Sequence, residues 1–157
     1  MQALFVARWL RGHERSPVPM DEHFDVTAIG WVESELTDLE LAPKQGDEGA
    51  PDASLVFEPA VREALHGIGV GDEVLVLTWL DRARRDVLRV HPRGDRTREE
   101  RGVFSTRSPH RPNPIGLHRV EVVAVEDGRL HVRNLEAVDG TPILDVKPVL
   151  SGDIAER

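Results

Sequence analysis

Two stretches of this chain concentrate groups that could do chemistry. The first, GVFSTRSPHRPNPIGL at 102–117, sets Arg107, His110 and Arg111 among prolines at 109, 112 and 114. Each proline fixes its own φ and pushes the residue before it toward extended backbone, which holds Ser108, Arg111 and Asn113 open. Prolines return no N–H to a sheet, so carbonyls along the stretch are expected to be free for a ligand. Arg107 is a planar fork suited to a carboxylate or a phosphate. The second stretch, LEAVDGTPILDVKP at 135–148, gathers Glu136, Asp139 and Asp145 around an Asp-Gly turn. Carboxylates so placed can accept a proton, hold a cation, or bond an amine or a ribose hydroxyl. A third candidate is Asp81-Arg82, which directly follows the apolar run ending at Leu80.

Other chemistries lack their residues. The chain has no cysteine, which removes disulfides, thiolate metal sites and thiol nucleophiles. Its seven histidines show no close pairing, so no metal site is expected. Neither a Gly-x-Gly-x-x-Gly loop nor a P-loop is present. No apolar run approaches the roughly 20 residues of a membrane span, and the N-terminus lacks the layout of a signal peptide, so a cytoplasmic protein is expected.

Charge is unevenly placed. The net charge is −8, which argues against a polyanionic partner for the body of the chain. Between residues 82 and 111, however, ten arginines stand against four carboxylates, a local net of +6. This basic segment runs straight into the proline-rich stretch.

The elements that must position these groups read mainly as short strands. Expected strands are 24–32, 53–57, 73–80, 86–90, 102–106, 118–125, 129–135 and 141–146, each rich in Val, Leu or Ile and bounded by turn residues. Asp127-Gly128 predicts a hairpin joining the sixth and seventh. One short helix is expected over 59–67, with Pro59 at its first position and Gly67 at its end. Residues 37–53 read as an exposed acidic loop. With 157 residues and 39% hydrophobic content, the chain suits one domain. The expected fold is all-β and mainly antiparallel, a small closed β-barrel with one short helix and long loops. Residues 1–24 are expected to form an N-terminal arm or extension, and 25–157 the barrel domain.

The two site stretches in this order resemble the TsaA-like family, the tRNA threonylcarbamoyladenosine methyltransferases. Weaker matches agree: AIGWVES (28–34) with the family's opening strand, APKQG (42–46) with its Pro-Arg-Gln-Pro-Gly loop, and LTWLDR (77–82) with its central strand. The resemblance implies a small β-barrel, a homodimer, that binds S-adenosylmethionine and methylates the exocyclic amine of a modified adenosine in tRNA. Carried over by position, the cofactor contacts are Pro43, Lys44, Gln45, Asp81, Arg82, Arg107, Leu117, Leu135, Glu136 and Asp139. A general base for the amine proton could be Asp139, Asp145 or His110, with no choice among them. Two other functions compete, methylation of a small metabolite and non-catalytic S-adenosylmethionine binding.

Overall fold

The computed structural model describes residues 23–39 and 42–150. The expected arm lies outside the described residues except for its last two, as does the stretch 151–157.

Six strands form one antiparallel ring: β1 (Gly30–Ser34), β2 (Ala53–Phe57), β3 (Glu73–Trp79), β6 (Ile115–Glu126), β7 (Arg129–Val132) and β8 (Pro142–Pro148). Their order is β1-β2-β7-β6-β3-β8, and β8 pairs back onto β1. Two further strands, β4 (Arg89–Val90) and β5 (Arg101–Gly102), pair as a small separate ribbon.

Alternation along the strands decides what fills the ring, because successive side chains point to opposite faces. Val32, Leu55, Phe57, Val74, Val76, Val120, Val122, Leu130, Val132 and Ile143 are buried inside it. Each such side chain contributes about 1.5–3 kcal/mol of burial, so the interior is a packed core rather than a ligand cavity. β1 approaches β2 so closely that a Cβ on Gly30 would lie 2.0 Å from the Val56 carbonyl oxygen.

Antiparallel order puts successive connections at alternate ends of the ring. One end carries the 3-10 helix Pro59–Leu65, whose Val61 and Leu65 pack on the core, and the hairpin between β6 and β7. Gly128 in that hairpin adopts φ 73°. The other end receives the three long connections, 35–52, 80–114 and 133–141. Every candidate site residue except Leu117 and Asp145, which lie on strands, belongs to one of these three.

Several local expectations need correction. Of the expected strand 102–106 only Gly102 is paired, in β5; the chain then turns into the 3-10 helix Val103–Ser105, with the Arg111 guanidinium bonded to the Val103 and Thr106 carbonyls in place of a neighbouring strand. The first strand begins at Gly30, not 24, and the run 86–90 keeps only two paired residues. The segment at 59–65 is helical, but as a 3-10 helix with no fully buried residue. The acidic loop is not wholly exposed, since Ala50 is buried.

Candidate functional site

At the loop-rich end the interior turns polar. Thr78 and Gly116 face inward as a cross-strand pair on β3 and β6, and His118 faces inward opposite Val76. Thr78 Oγ1 lies 2.9 Å from His118 Nε2, and His118 Nδ1 lies 2.8 Å from Glu136 Oε1. An ionised carboxylate only accepts, so Nδ1 carries the proton, and in the neutral ring Nε2 accepts from the Thr78 hydroxyl. Gly116 makes room for this contact, since a Cβ there would lie 2.3 Å from Thr78 Oγ1 and 2.7 Å from His118 Nε2.

Glu136 is thereby the charged end of a buried chain, with its side chain only 21% exposed. Burial pushes its carboxyl up, but the hydrogen bond and charge of His118, its own backbone N–H and the nearby Arg107 together hold it below the ordinary value. The loop 42–52 closes over it. A Cβ on Gly46 would stand 2.2 Å from the Asn134 carbonyl oxygen and 3.3 Å from Glu136 Oε2. Asn134 turns the chain there with φ 53° and donates its N–H to Asp52, while Leu135 N donates to the Pro51 carbonyl.

The same loop is tied to the basic segment. Lys44 Nζ donates to the Arg93 carbonyl, and Arg93 pairs with Glu48 at 2.6 Å. Pro43, Lys44 and Gln45 directly precede Gly46, the residue of this loop that approaches Glu136, and Arg107 is close enough to act on the Glu136 charge. Arg107 is exposed and has no hydrogen bond or ion pair among the described residues.

The proline-rich stretch binds itself more than expected. Arg111 donates to the carbonyls of Ser108, Val103 and Thr106, at 2.8, 3.1 and 2.6 Å. Arg85 donates to the Pro112 carbonyl and stacks over Trp79, and the Pro114 and Asn113 carbonyls accept from Leu80 N and Ile115 N. Several carbonyls expected to be free are therefore already satisfied, which makes the stretch a rigid wall.

The remaining candidates separate. Asp81 and Arg82 are exposed just beyond β3, with the next residue turned back by an Ala83 N to Leu80 carbonyl bond. Leu117 faces outward on β6 and is 42% exposed, whereas the Leu135 side chain is fully buried in the core and leaves only its backbone to a ligand. Asp139 accepts from Ser34 N at 3.0 Å and lines a shallow depression of about 510 Å³ with Glu33, Asp52 and His131; Lys44, Arg107 and Glu136 are not among the residues lining it. Asp145 pairs with Lys147 on β8 at 2.8 Å. His110 Nδ1 accepts from Arg84 N at 3.0 Å. Thr78, though inside the LTWLDR run, and His118 were not picked out as site residues, because their contacts join positions 40 and 18 residues apart along the chain. Among the described residues no three histidine or carboxylate side chains gather to hold a metal, and no helix is long and apolar enough to cross a membrane.

Comparison with known proteins points one way. The family model described as the tRNA-methyltransferase O N-terminal domain matches residues 31–152. An S-adenosyl-L-methionine-binding protein from Archaeoglobus fulgidus is 46% identical over 119 residues, 76% of this chain and 84% of the relative. A mouse tRNA (adenine(37)-N6)-methyltransferase is 52% identical over 50 residues, 32% of this chain and 12% of that protein. The crystal structure of TrmO from Pseudomonas aeruginosa superposes with a TM-score of 0.66 at 29% identity, over 82% of this chain. The chain spans 57% of the length of that solved protein.

Proposed function

The chain belongs to the family of the tRNA-methyltransferase O N-terminal domain, and from that membership we propose that it is an S-adenosylmethionine-dependent methyltransferase acting on the exocyclic amine of threonylcarbamoyladenosine in tRNA. The observation that carries this reading is that Arg107, a guanidinium with no hydrogen bond or ion pair among the described residues, lies near a half-buried carboxylate, Glu136, at the end of the ring that holds the three long connections.

The donor set fits the cofactor. S-adenosylmethionine presents a carboxylate, an ammonium, a ribose diol and an adenine, which call for one fork-shaped cation, carboxylate acceptors and close backbone. Arg107 supplies the first, Glu136 the second, and the 43–46 segment beside Asn134 the third. Leu117 and Leu135 take part through their backbone, and Asp81, Arg82 and Asp139 through exposed polar groups at the rim. When bound, the cofactor supplies a methyl group on a sulfonium, open to attack by an amine nitrogen. The chain's own work is to orient that nitrogen, since positioning alone can lower such a barrier by several kcal/mol, and to receive its proton. Of the three candidate bases Asp139 is favoured, because one carboxylate oxygen has no partner among the described residues. His110 Nδ1 and Asp145 are already engaged.

On the same reading the ring is a small closed barrel, residues 25–157 are one domain with 1–24 as an arm, and the protein is a cytoplasmic homodimer. Support for the dimer is an apolar outer strip on β6, where Ile115 and Leu117 are 44% and 42% exposed opposite Trp79 and Leu77 of β3. A monomer in light scattering at micromolar concentration would refute it. A second reading, a non-catalytic S-adenosylmethionine-binding module, is favoured by the name of the Archaeoglobus relative. Transfer of labelled methyl to tRNA decides between the two.

A further inference from the structure

The basic segment carries a feature that cofactor binding does not use. Phe104 is 81% exposed, the largest exposure among the large apolar side chains of the described residues. It is held out rigidly. Val103 beside it is 1% exposed and donates its N–H to the Leu88 carbonyl, while the Ser105 hydroxyl donates to the Gly102 carbonyl. The Thr106 hydroxyl and the Arg111 guanidinium both donate to the Val103 carbonyl, and Arg111 also clamps Thr106 and Ser108. A fixed turn that presents an aromatic ring to water has lost the apolar burial the ring would otherwise gain, and calls for something to cover it.

The surrounding charge says what covers it. Six of the ten arginines between 82 and 111 are engaged: Arg84, Arg89, Arg93 and Arg98 with carboxylates, Arg85 and Arg111 with carbonyls. Arg82, Arg96, Arg101 and Arg107 have no such partner among the described residues. Arg101 and Arg107 lie three residues to either side of Phe104. An exposed aromatic face with arginines close by in the chain that have no partner among the described residues matches an unpaired nucleobase flanked by phosphates, because every base has a face to stack and a backbone to neutralise.

We infer that Phe104 is a stacking platform for an unpaired nucleobase of the RNA substrate, beside the cofactor cation Arg107. This rests on the tRNA reading above and deepens it by naming where a base is gripped. The test compares wild type with Phe104→Ala, Phe104→Leu and Phe104→Trp, measuring affinity for tRNA carrying threonylcarbamoyladenosine over a range of salt. It also measures S-adenosylmethionine affinity by calorimetry and subunit mass by sedimentation. Phe104→Ala is expected to weaken tRNA binding roughly 5- to 150-fold, Phe104→Leu to weaken it as well, and Phe104→Trp to retain it. The salt slope, the cofactor affinity and the subunit mass are expected not to change. Unchanged tRNA affinity in Phe104→Ala overturns the inference while leaving the tRNA reading intact. Weakened cofactor binding would place the ring in the cofactor pocket instead, and a change in mass would make it a subunit contact; either also overturns it. If wild type neither binds nor methylates the RNA, the tRNA reading itself fails and this inference falls with it.

Discussion

Glu136 shows how one residue's environment is set by three others. Its carboxylate is charged below the ordinary range because His118, braced by Thr78, donates to it, with Arg107 nearby. A carboxyl whose folded pKa lies below its unfolded one stabilises the fold above the unfolded value, 4.5, and that contribution is lost as pH falls through the lower folded value. Urea midpoints of wild type minus Glu136→Gln should therefore differ most at neutral pH and converge in acid below the ordinary carboxyl range. A difference that grew as pH fell would contradict the assignment. Gly116→Ala should cost about 1–3 kcal/mol in the same assay, because its Cβ would displace Thr78 from His118, and a neutral result would show that the contact is dispensable. The sequence singled out Glu136 and Arg107 by type and motif. It did not single out His118 or Thr78, whose role depends on strand register and on the missing Cβ of Gly116.

Among the elements, the proline-rich stretch depends most on one side chain. Arg111 reaches three carbonyls at once, a geometry that needs a planar fork. Arg111→Ala should raise amide exchange across 103–108, and Arg111→Lys should not restore protection, since an ammonium is a single point donor. Protection unchanged in the alanine variant would mean that the prolines alone hold the turn. The strands of the ring were legible from alternation, and β2 begins and ends where its apolar run does. The turn at 103–105 was not, because Val-Phe-Ser-Thr has strand-like composition, and what turns it are contacts from Arg111 and Leu88 together with the Ser105 and Thr106 hydroxyls. The helix at 59–65 was legible in place but not in type, since seven residues with little burial leave the 3-10 form sufficient.

The whole molecule is acidic, and on the proposed reading a polyanion would meet it through the connections at one end of the ring. Four arginines of the basic segment have no partner among the described residues, so if these alone meet phosphates the slope of log affinity against log salt for a tRNA loop should be no steeper than about −3, against about −7 if all ten contributed. A slope near zero would remove RNA from consideration. The local excess of arginine was visible in the sequence, but which guanidiniums were already taken was not, because Glu48 lies 45 residues from Arg93. The central claim is tested most directly by incubating the protein with radiolabelled S-adenosylmethionine and either tRNA carrying threonylcarbamoyladenosine or the same tRNA without it. Label on the modified tRNA alone is the predicted result; label on neither, with the cofactor bound, would contradict it and leave methylation of a small metabolite or a binding module.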